Sequence, residues 1–121
     1  MSYYILIVDD EPEILELYKL MLSSEKKFVI ELARNGFEAV EKYKKMQSKP
    51  DIVIMDHRMP VKDGIQATKE ILSHNSNAKI IFASADSSAK ECALMVGAKD
   101  FLVKPFSMKV LVENIKKILD E

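Results

Sequence analysis

The chain has 121 residues and a formal net charge of −1, and 48% of its residues are hydrophobic, which suits one domain around one core. The balanced charge excludes a basic surface for direct nucleic-acid binding, and the lone Cys92 excludes an internal disulfide and a cysteine-based zinc site. No apolar run approaches the ~20 residues that span a membrane, and acidic residues come too early for a signal peptide, so we expect a cytoplasmic protein without membrane insertion.

Short apolar runs alternate with amphipathic segments along the chain. The runs predict five strands, and the segments between them predict five helices. Pro12 suits the first position of a helix, Asn35 with Glu38 indicates a capping box, and Gly97 suits the end of a helix. The predicted strands are 4–8, 29–33, 52–55, 79–83 and 101–103, and the predicted helices are 12–22, 36–46, 64–72, 87–96 and 108–119.

This alternation predicts right-handed crossovers and a parallel sheet with helices on both faces. The first, third and fourth strands are continuously apolar, which is typical of central strands, whereas Glu31 interrupts the second and favours an edge position. These features predict a doubly wound, flavodoxin-like (βα)5 fold with the strand order 2-1-3-4-5. We expect residues 1–121 to be a single domain without an effector domain.

Polar residues follow the apolar strands at one rim of the predicted sheet. Asp9 and Asp10 follow the first strand, Asp56 the third, Ser84 the fourth and Lys104 the fifth. Three clustered carboxylates need a compensating positive charge, and oxygen ligands at this density suit Mg²⁺. A carboxylate nucleophile beside Mg²⁺ suggests phosphoryl transfer that forms an aspartyl phosphate.

At these positions the chain resembles the receiver domains of two-component response regulators, of the chemotaxis-regulator (CheY-like) type. The resemblance covers nearly the whole length, and each matching segment lies at its expected strand end. The segments are Val8-Asp9-Asp10-Glu11, Met55-Asp56-His57-Arg58-Met59-Pro60, Asp63-Gly64, Ser84-Ala85, Gly97-Ala98 and Asp100-Phe101-Leu102-Val103-Lys104-Pro105-Phe106.

The resemblance implies a metal site and a phospho-acceptor. Asp56 is then the acceptor, and Asp10, Asp56 and the backbone carbonyl of Arg58 bind Mg²⁺ directly, with Mn²⁺ as an alternative ion. Asp9 acts mostly through a metal-bound water and pairs with Lys104. Arg58 lies two residues after the acceptor, at a position where the family implies an influence on the lifetime of the phosphate.

The resemblance also implies the residues that bind phosphate and switch. Lys104 pairs with the phosphoryl group, and Ser84, followed by Ala85, moves to bond it. Phe101 is the aromatic whose rotamer follows this movement, although a phenylalanine in a short strand is also typical of a simple core residue. The peptide bond before Pro105 is expected to be cis.

The implied function is a phosphorylation-activated switch rather than an enzyme in the usual sense. A sensor histidine kinase supplies the phosphoryl group from a phosphohistidine, and the domain catalyses its own Mg²⁺-dependent phosphorylation and dephosphorylation. The surface of helix 4, strand 5 and helix 5 then binds a downstream protein or a second copy of the chain.

Simpler and competing interpretations stay open. Asp9 and Asp10 could only cap the first helix. A phosphatase with an aspartate nucleophile would need a second acid at the position of Arg58. A flavin-binding protein of the same fold would need a phosphate-cradling loop after the first strand. A passive phosphate sink would need no output surface. His57 is expected to point away from Asp56 across the sheet, and Cys92 and most methionines are expected in the core.

Overall fold

A computed structural model describes residues 2–120. Apolar strands and amphipathic helices alternate in chain order, and none of the helices within this range is long and apolar enough to cross a membrane. The elements are β1 (Tyr3–Val8), α1 (Pro12–Leu22), β2 (Phe28–Ala33), α2 (Gly36–Lys45), β3 (Ile52–Asp56), α3 (Gly64–His74), β4 (Ile80–Ser84), α4 (Lys90–Met95), β5 (Asp100–Val103) and α5 (Met108–Leu119).

The five strands form one parallel sheet in the order β2-β1-β3-β4-β5. This order confirms the predicted fold class, including the edge position of β2. Strands β1 and β3 are neighbours, with Val8 opposite Met55, so the residues that follow them meet at one rim of the sheet. That rim contains the carboxyl ends of β1 and β3, which is where doubly wound folds bind ligands.

The sheet separates two cores because alternate residues of each buried strand point to opposite faces. On one face, Leu6, Val53 and Phe82 pack with residues of α2, α3 and α4. On the other face, Ile7 and Ile54 pack with residues of α1 and α5. The same alternation continues past the strand ends and decides which polar side chains meet there.

The ends of the helices follow the predicted signals closely. Pro12 begins α1, and the side chains of Asn35, Asp63 and Ser107 accept backbone N–H groups at the starts of α2, α3 and α5. Gly97 follows α4 with φ of 115°, a conformation that favours glycine. These local signals explain why most predicted boundaries lie within two residues of the observed ones.

The fourth helix differs from its prediction. A short 3₁₀ turn over Ser87–Ala89 precedes α4, and α4 itself has only six residues. Ala93 is the buried residue of α4, so Cys92, one position earlier on the helix, is exposed. Met95 is exposed as well. Met21 is exposed too, and Met55 is the only fully buried methionine among residues 2–120. The expectation that Cys92 and most methionines lie in the core is therefore wrong.

Candidate functional site

An open pocket of about 420 Å³ lies at the carboxyl ends of the central strands. Its walls come from the loops after β1, β3, β4 and β5, so four separate segments of the chain contribute to it. Most of the residues singled out from the sequence lie here. The lining residues are Asp10, Glu11, Asp56, Arg58, Ser84, Ala85, Asp86 and Lys104.

One lysine joins two carboxylates at the floor of this pocket. The Nζ atom of Lys104 donates to Oδ2 of Asp9 at 3.0 Å and to Oδ1 of Asp56 at 3.4 Å. Asp9 is only 1% exposed, and its other oxygen accepts the backbone N–H of Glu11 at 3.0 Å. Strand alternation brings these side chains together because Asp9, Asp56 and Lys104 each continue the face that packs against α1 and α5.

Burial and neighbouring charges alter the acid–base properties of this group. Burial raises the pKa of the Asp56 carboxyl above its usual range; Lys104 opposes this shift and Asp9 adds to it. Burial opposes the positive charge of Lys104, but Asp56 and Asp9 outweigh that effect and raise the pKa of Lys104. The lysine therefore stays protonated and is the cation of the site. For Asp56, the contact with Lys104 does not fully offset the destabilisation of the charged carboxylate by burial and by Asp9.

The acidic loop after β1 supplies a set of oxygen ligands. One carboxylate oxygen each from Asp9, Asp10 and Glu11 lies within 4.8 Å of the others, while Asp10 and Asp56 line the same pocket. A group of carboxylates with one lysine fits a hard divalent cation such as Mg²⁺. The sequence prediction omitted Glu11, although it directly follows the acidic pair. Asp9 has both oxygens engaged with Lys104 and the backbone, which favours Asp10 as the more available ligand.

The loop after β3 is held close to Asp56 by a glycine. The N–H of Gly64 donates to the carbonyl of His57 at 2.8 Å, and a Cβ atom on Gly64 would lie 2.2 Å from the carbonyl oxygen of Asp56. A side chain at Gly64 would therefore displace the backbone that carries Asp56. The His57 ring points to the other face, against Phe82, as alternation predicts.

A salt bridge spans the mouth of the pocket. The guanidinium of Arg58 donates to Oδ2 of Asp86 at 3.0 Å, which links the loop after β3 to the loop after β4. Two hydrogen bonds from Ser88, followed by the contact with Arg58, lower the pKa of Asp86. Sequence reasoning did not place Asp86 in the site, although its position two residues after Ser84 is a signal for it.

The other predicted switch residues take different positions. Ser84 is buried, and its Oγ accepts the N–H of Asp86 at 3.1 Å, while Ala85 is exposed at the wall of the pocket. Phe101 is buried on the opposite face of the sheet, outside the pocket. The Lys104–Pro105 peptide bond is cis, as the family resemblance implies. The structure therefore groups Ser84 and Ala85 with the site but separates Phe101 from it.

One further residue near the site was not singled out from the sequence. The side chain of Tyr18 on α1 is buried on the same face as Asp9 and Lys104. Burial raises the pKa of Tyr18 to about 12; Lys104 lowers it, and Asp9 and Asp56 raise it further. Helical spacing within α1 gives no sign of these charged neighbours.

The fold and this rim of charged residues define a class of protein, and comparison with known proteins agrees with it. The sequence matches the response regulator receiver domain family over residues 5–116. The chemotaxis protein CheY of Thermotoga maritima is 44% identical over 120 residues, which cover 98% of each chain. That of Bacillus subtilis is 43% identical over 122 residues, covering 99% of this chain and 100% of the relative.

A solved structure shows the same architecture. A chain of the CheX–CheY–BeF₃–Mg²⁺ complex from Borrelia burgdorferi matches with a TM-score of 0.88 and 33% sequence identity, covering 96% of this chain and 88% of that one. Family, sequence and structure agree across almost all of the chain. The chain therefore belongs to the response regulator receiver domain family.

Proposed function

We propose that this chain is a phosphorylation-activated switch in which Asp56 accepts the phosphoryl group. The observation that carries the proposal is the pair of contacts from Lys104 to Asp9 and Asp56 in an open pocket that also contains Asp10. A carboxylate nucleophile, a fixed cation and further oxygen ligands are the parts that phosphoryl transfer requires. Family membership supports the same function.

The donor would be a phosphohistidine of a sensor histidine kinase. An oxygen of the Asp56 carboxylate attacks the phosphorus, the P–N bond breaks, and the bonding electrons leave with the imidazole, which takes up a proton. Lys104 would neutralise charge on the transferred group, and the hydroxyl of Ser84, which lines the same pocket, would move to donate a hydrogen bond to it. Positioning and neutralisation of this kind supply most of the catalysis in phosphoryl transfer.

Mg²⁺ is the ion that the ligand set suits, with Mn²⁺ as a substitute. Asp10, Asp56 and the carbonyl of Arg58 would hold it, and Asp9 would act through bound water. When bound, the ion neutralises the carboxylates and the incoming phosphoryl oxygens. The complex of the Borrelia relative contains Mg²⁺ and BeF₃, which supports this assignment.

The signal would leave through the surface of α4, β5 and α5. Four large apolar side chains on these elements are exposed, an arrangement that suits a protein partner or a second copy of the chain. The relative from Borrelia is in a complex with CheX, so members of the family do bind other proteins. The exposed side chains are Leu94, Met95, Val103 and Val110.

Acetyl phosphate, a small phosphodonor, tests the acceptor directly. The purified chain is incubated with acetyl phosphate, with and without Mg²⁺, and its intact mass is measured. We expect a gain of one phosphate that requires the metal, is absent in Asp56→Asn, and persists in Asp100→Asn, a control at a partly exposed aspartate of β5. Equal labelling of Asp56→Asn would reject Asp56 as the acceptor.

A further inference from the structure

Three aromatic rings lie in a row on the face of the sheet that packs against α2, α3 and α4. Phe82 of β4 and Phe101 of β5 are opposite each other in the sheet register, and their ring centroids are 6.2 Å apart with planes inclined by 14°. On the other side of Phe82, the ring of His57 lies at 6.0 Å, inclined by 46°. The row therefore leads from the residue after Asp56 to Phe101.

Packing alone holds the Phe101 ring in its inward position. Phe82 is fully buried and Phe101 is 6% exposed, and a phenylalanine has no hydroxyl that could anchor it. The residues that the 3₁₀ turn and α4 contribute to the same core are small, namely Ala89 and Ala93. The ring of Phe82 is thus the large, nearly parallel surface against which Phe101 rests, and such aromatic pairs add stability beyond the area that they bury.

The ring of His57 is also positioned by packing rather than by its Nδ1 atom. This atom is buried and has no hydrogen-bond partner among residues 2–120. The backbone N–H of His57, by contrast, donates to Oδ1 of Asp56 at 3.0 Å. The peptide that contacts the Asp56 carboxylate therefore carries a ring that touches Phe82 directly.

We propose that Phe82 is a positioning residue for Phe101. Its ring holds Phe101 inward and connects that ring, through His57, to the backbone at Asp56. The inference rests on the proposed function only in treating Phe101 as the aromatic that moves. The competing interpretation is that Phe82 is a core residue whose loss lowers stability without changing the position of Phe101.

Fluorine NMR distinguishes the two interpretations. The chain is labelled with 4-fluorophenylalanine, its Phe101 signal is assigned by substitution, and the inward and outward populations are measured by exchange methods without phosphodonor or metal. We expect Phe82→Leu to raise the ratio of outward to inward Phe101 by roughly 2- to 10-fold, the range that corresponds to one aromatic pair. The matched control is Phe28→Leu, which removes a buried ring in the other core.

The outcomes separate positioning from general destabilisation. Urea unfolding gives the stability that each variant loses, and Phe82→Met replaces Phe82→Leu if the latter does not fold. An unchanged Phe101 ratio in a folded Phe82 variant, or an equal change in Phe28→Leu, would overturn the proposal. The ratio is measured on the unphosphorylated protein, so its result is independent of whether Asp56 proves to be the acceptor.

Discussion

Lys104 shows how single residues at this rim depend on one another. It contacts the buried Asp9 and the proposed acceptor Asp56, so one side chain compensates two carboxylates from different strands. Removing it would leave Asp9 buried without a counter-charge, which is costly in a protein interior. Phosphorylation would convert the Asp56 carboxylate into an uncharged acyl group that carries a more strongly charged phosphoryl group. Lys104 would then exchange the Asp56 carboxylate for the phosphoryl oxygens, and this exchange is the local event that a switch requires.

Arg58 is expected to protect the phosphate. Its salt bridge with Asp86 spans the mouth of the pocket, where water must enter to hydrolyse an aspartyl phosphate. We expect Arg58→Ala to shorten the phosphate half-life by about 2- to 5-fold. An exposed ion pair contributes up to about 1 kcal/mol, which corresponds to a change in rate of this size. Arg34→Ala, which removes an exposed ion pair with Glu38 away from the pocket, is the control. A half-life unchanged in Arg58→Ala would contradict this role.

The raised pKa of Tyr18 predicts that the protein loses stability in alkali. Its pKa is raised from 10.0 to about 12 in the folded chain, so the unfolded chain ionises first as the pH rises. The stabilisation is complete below pH 10 and is lost between about pH 10 and 12, by up to about 3 kcal/mol. Urea unfolding across this range should show a smaller decline for Tyr18→Phe than for the wild type. Parallel declines would show that Tyr18 is not the group responsible.

At the scale of elements, the loop after β3 contains a backbone conformation that is unfavourable for its residue. The N–H of Lys62 donates to the carbonyl of Pro60 at 2.8 Å, closing a γ-turn with Val61 at its centre. Val61 has a φ of 73°, and its side chain is 81% exposed. A β-branched residue is disfavoured in this conformation, and no burial compensates it, so the loop after β3 contains local strain.

Relieving this strain should stabilise the protein. Asparagine tolerates positive φ better than valine, so we expect Val61→Asn to raise the free energy of unfolding by about 1 kcal/mol. Val29→Asn provides the comparison, since Val29 is also exposed but lies in the edge strand β2, where asparagine should lower stability. Chemical denaturation measures both variants. A Val61→Asn protein less stable than the wild type would show that the valine is not strained.

For the whole molecule, the parallel sheet places the charged rim and the Phe101 ring at different positions along one strand. Charged groups from β1, β3 and β5 converge at one rim, whereas Phe101 of β5 packs in the core beneath α4. Strand β5 therefore carries Lys104 at its end and Phe101 within it, and α4 and α5 flank this edge of the sheet. In the proposed switch, β5 would connect the phosphorylation site directly to the exposed apolar surface.

Amide hydrogen exchange should locate the response of the fold. After phosphorylation with acetyl phosphate and Mg²⁺, we expect changes in protection in α4, β5 and the start of α5. The exchange rates should change by about 3-fold or more, which corresponds to at least about 0.6 kcal/mol of local stability. The helix α2, at the other edge of the sheet, is an internal control and should change little. The same treatment of Asp56→Asn should leave every segment unchanged. Uniform changes across the chain would contradict a localised switch.

Much of the fold was predictable because its signals are local. Apolar runs identified the strands, Glu31 marked the edge strand, and Pro12 and Asn35 marked the starts of helices. The charged rim was also predictable, since parallel strands end on the same side and the acids follow them directly. The boundary of α4 was not, because an initial 3₁₀ turn changes which residues face the core and leaves Cys92 exposed.

The sequence by itself determined the type of fold, the order of the strands and the residues at their ends. The tertiary structure decided which of those residues touch. It alone showed the salt bridge between Arg58 and Asp86, the position of Tyr18 near the charges and the contact between Phe82 and Phe101. The physical reason is that periodicity encodes which way a side chain points from its own element, whereas a contact between elements depends on strand register and loop path, which many residues set together.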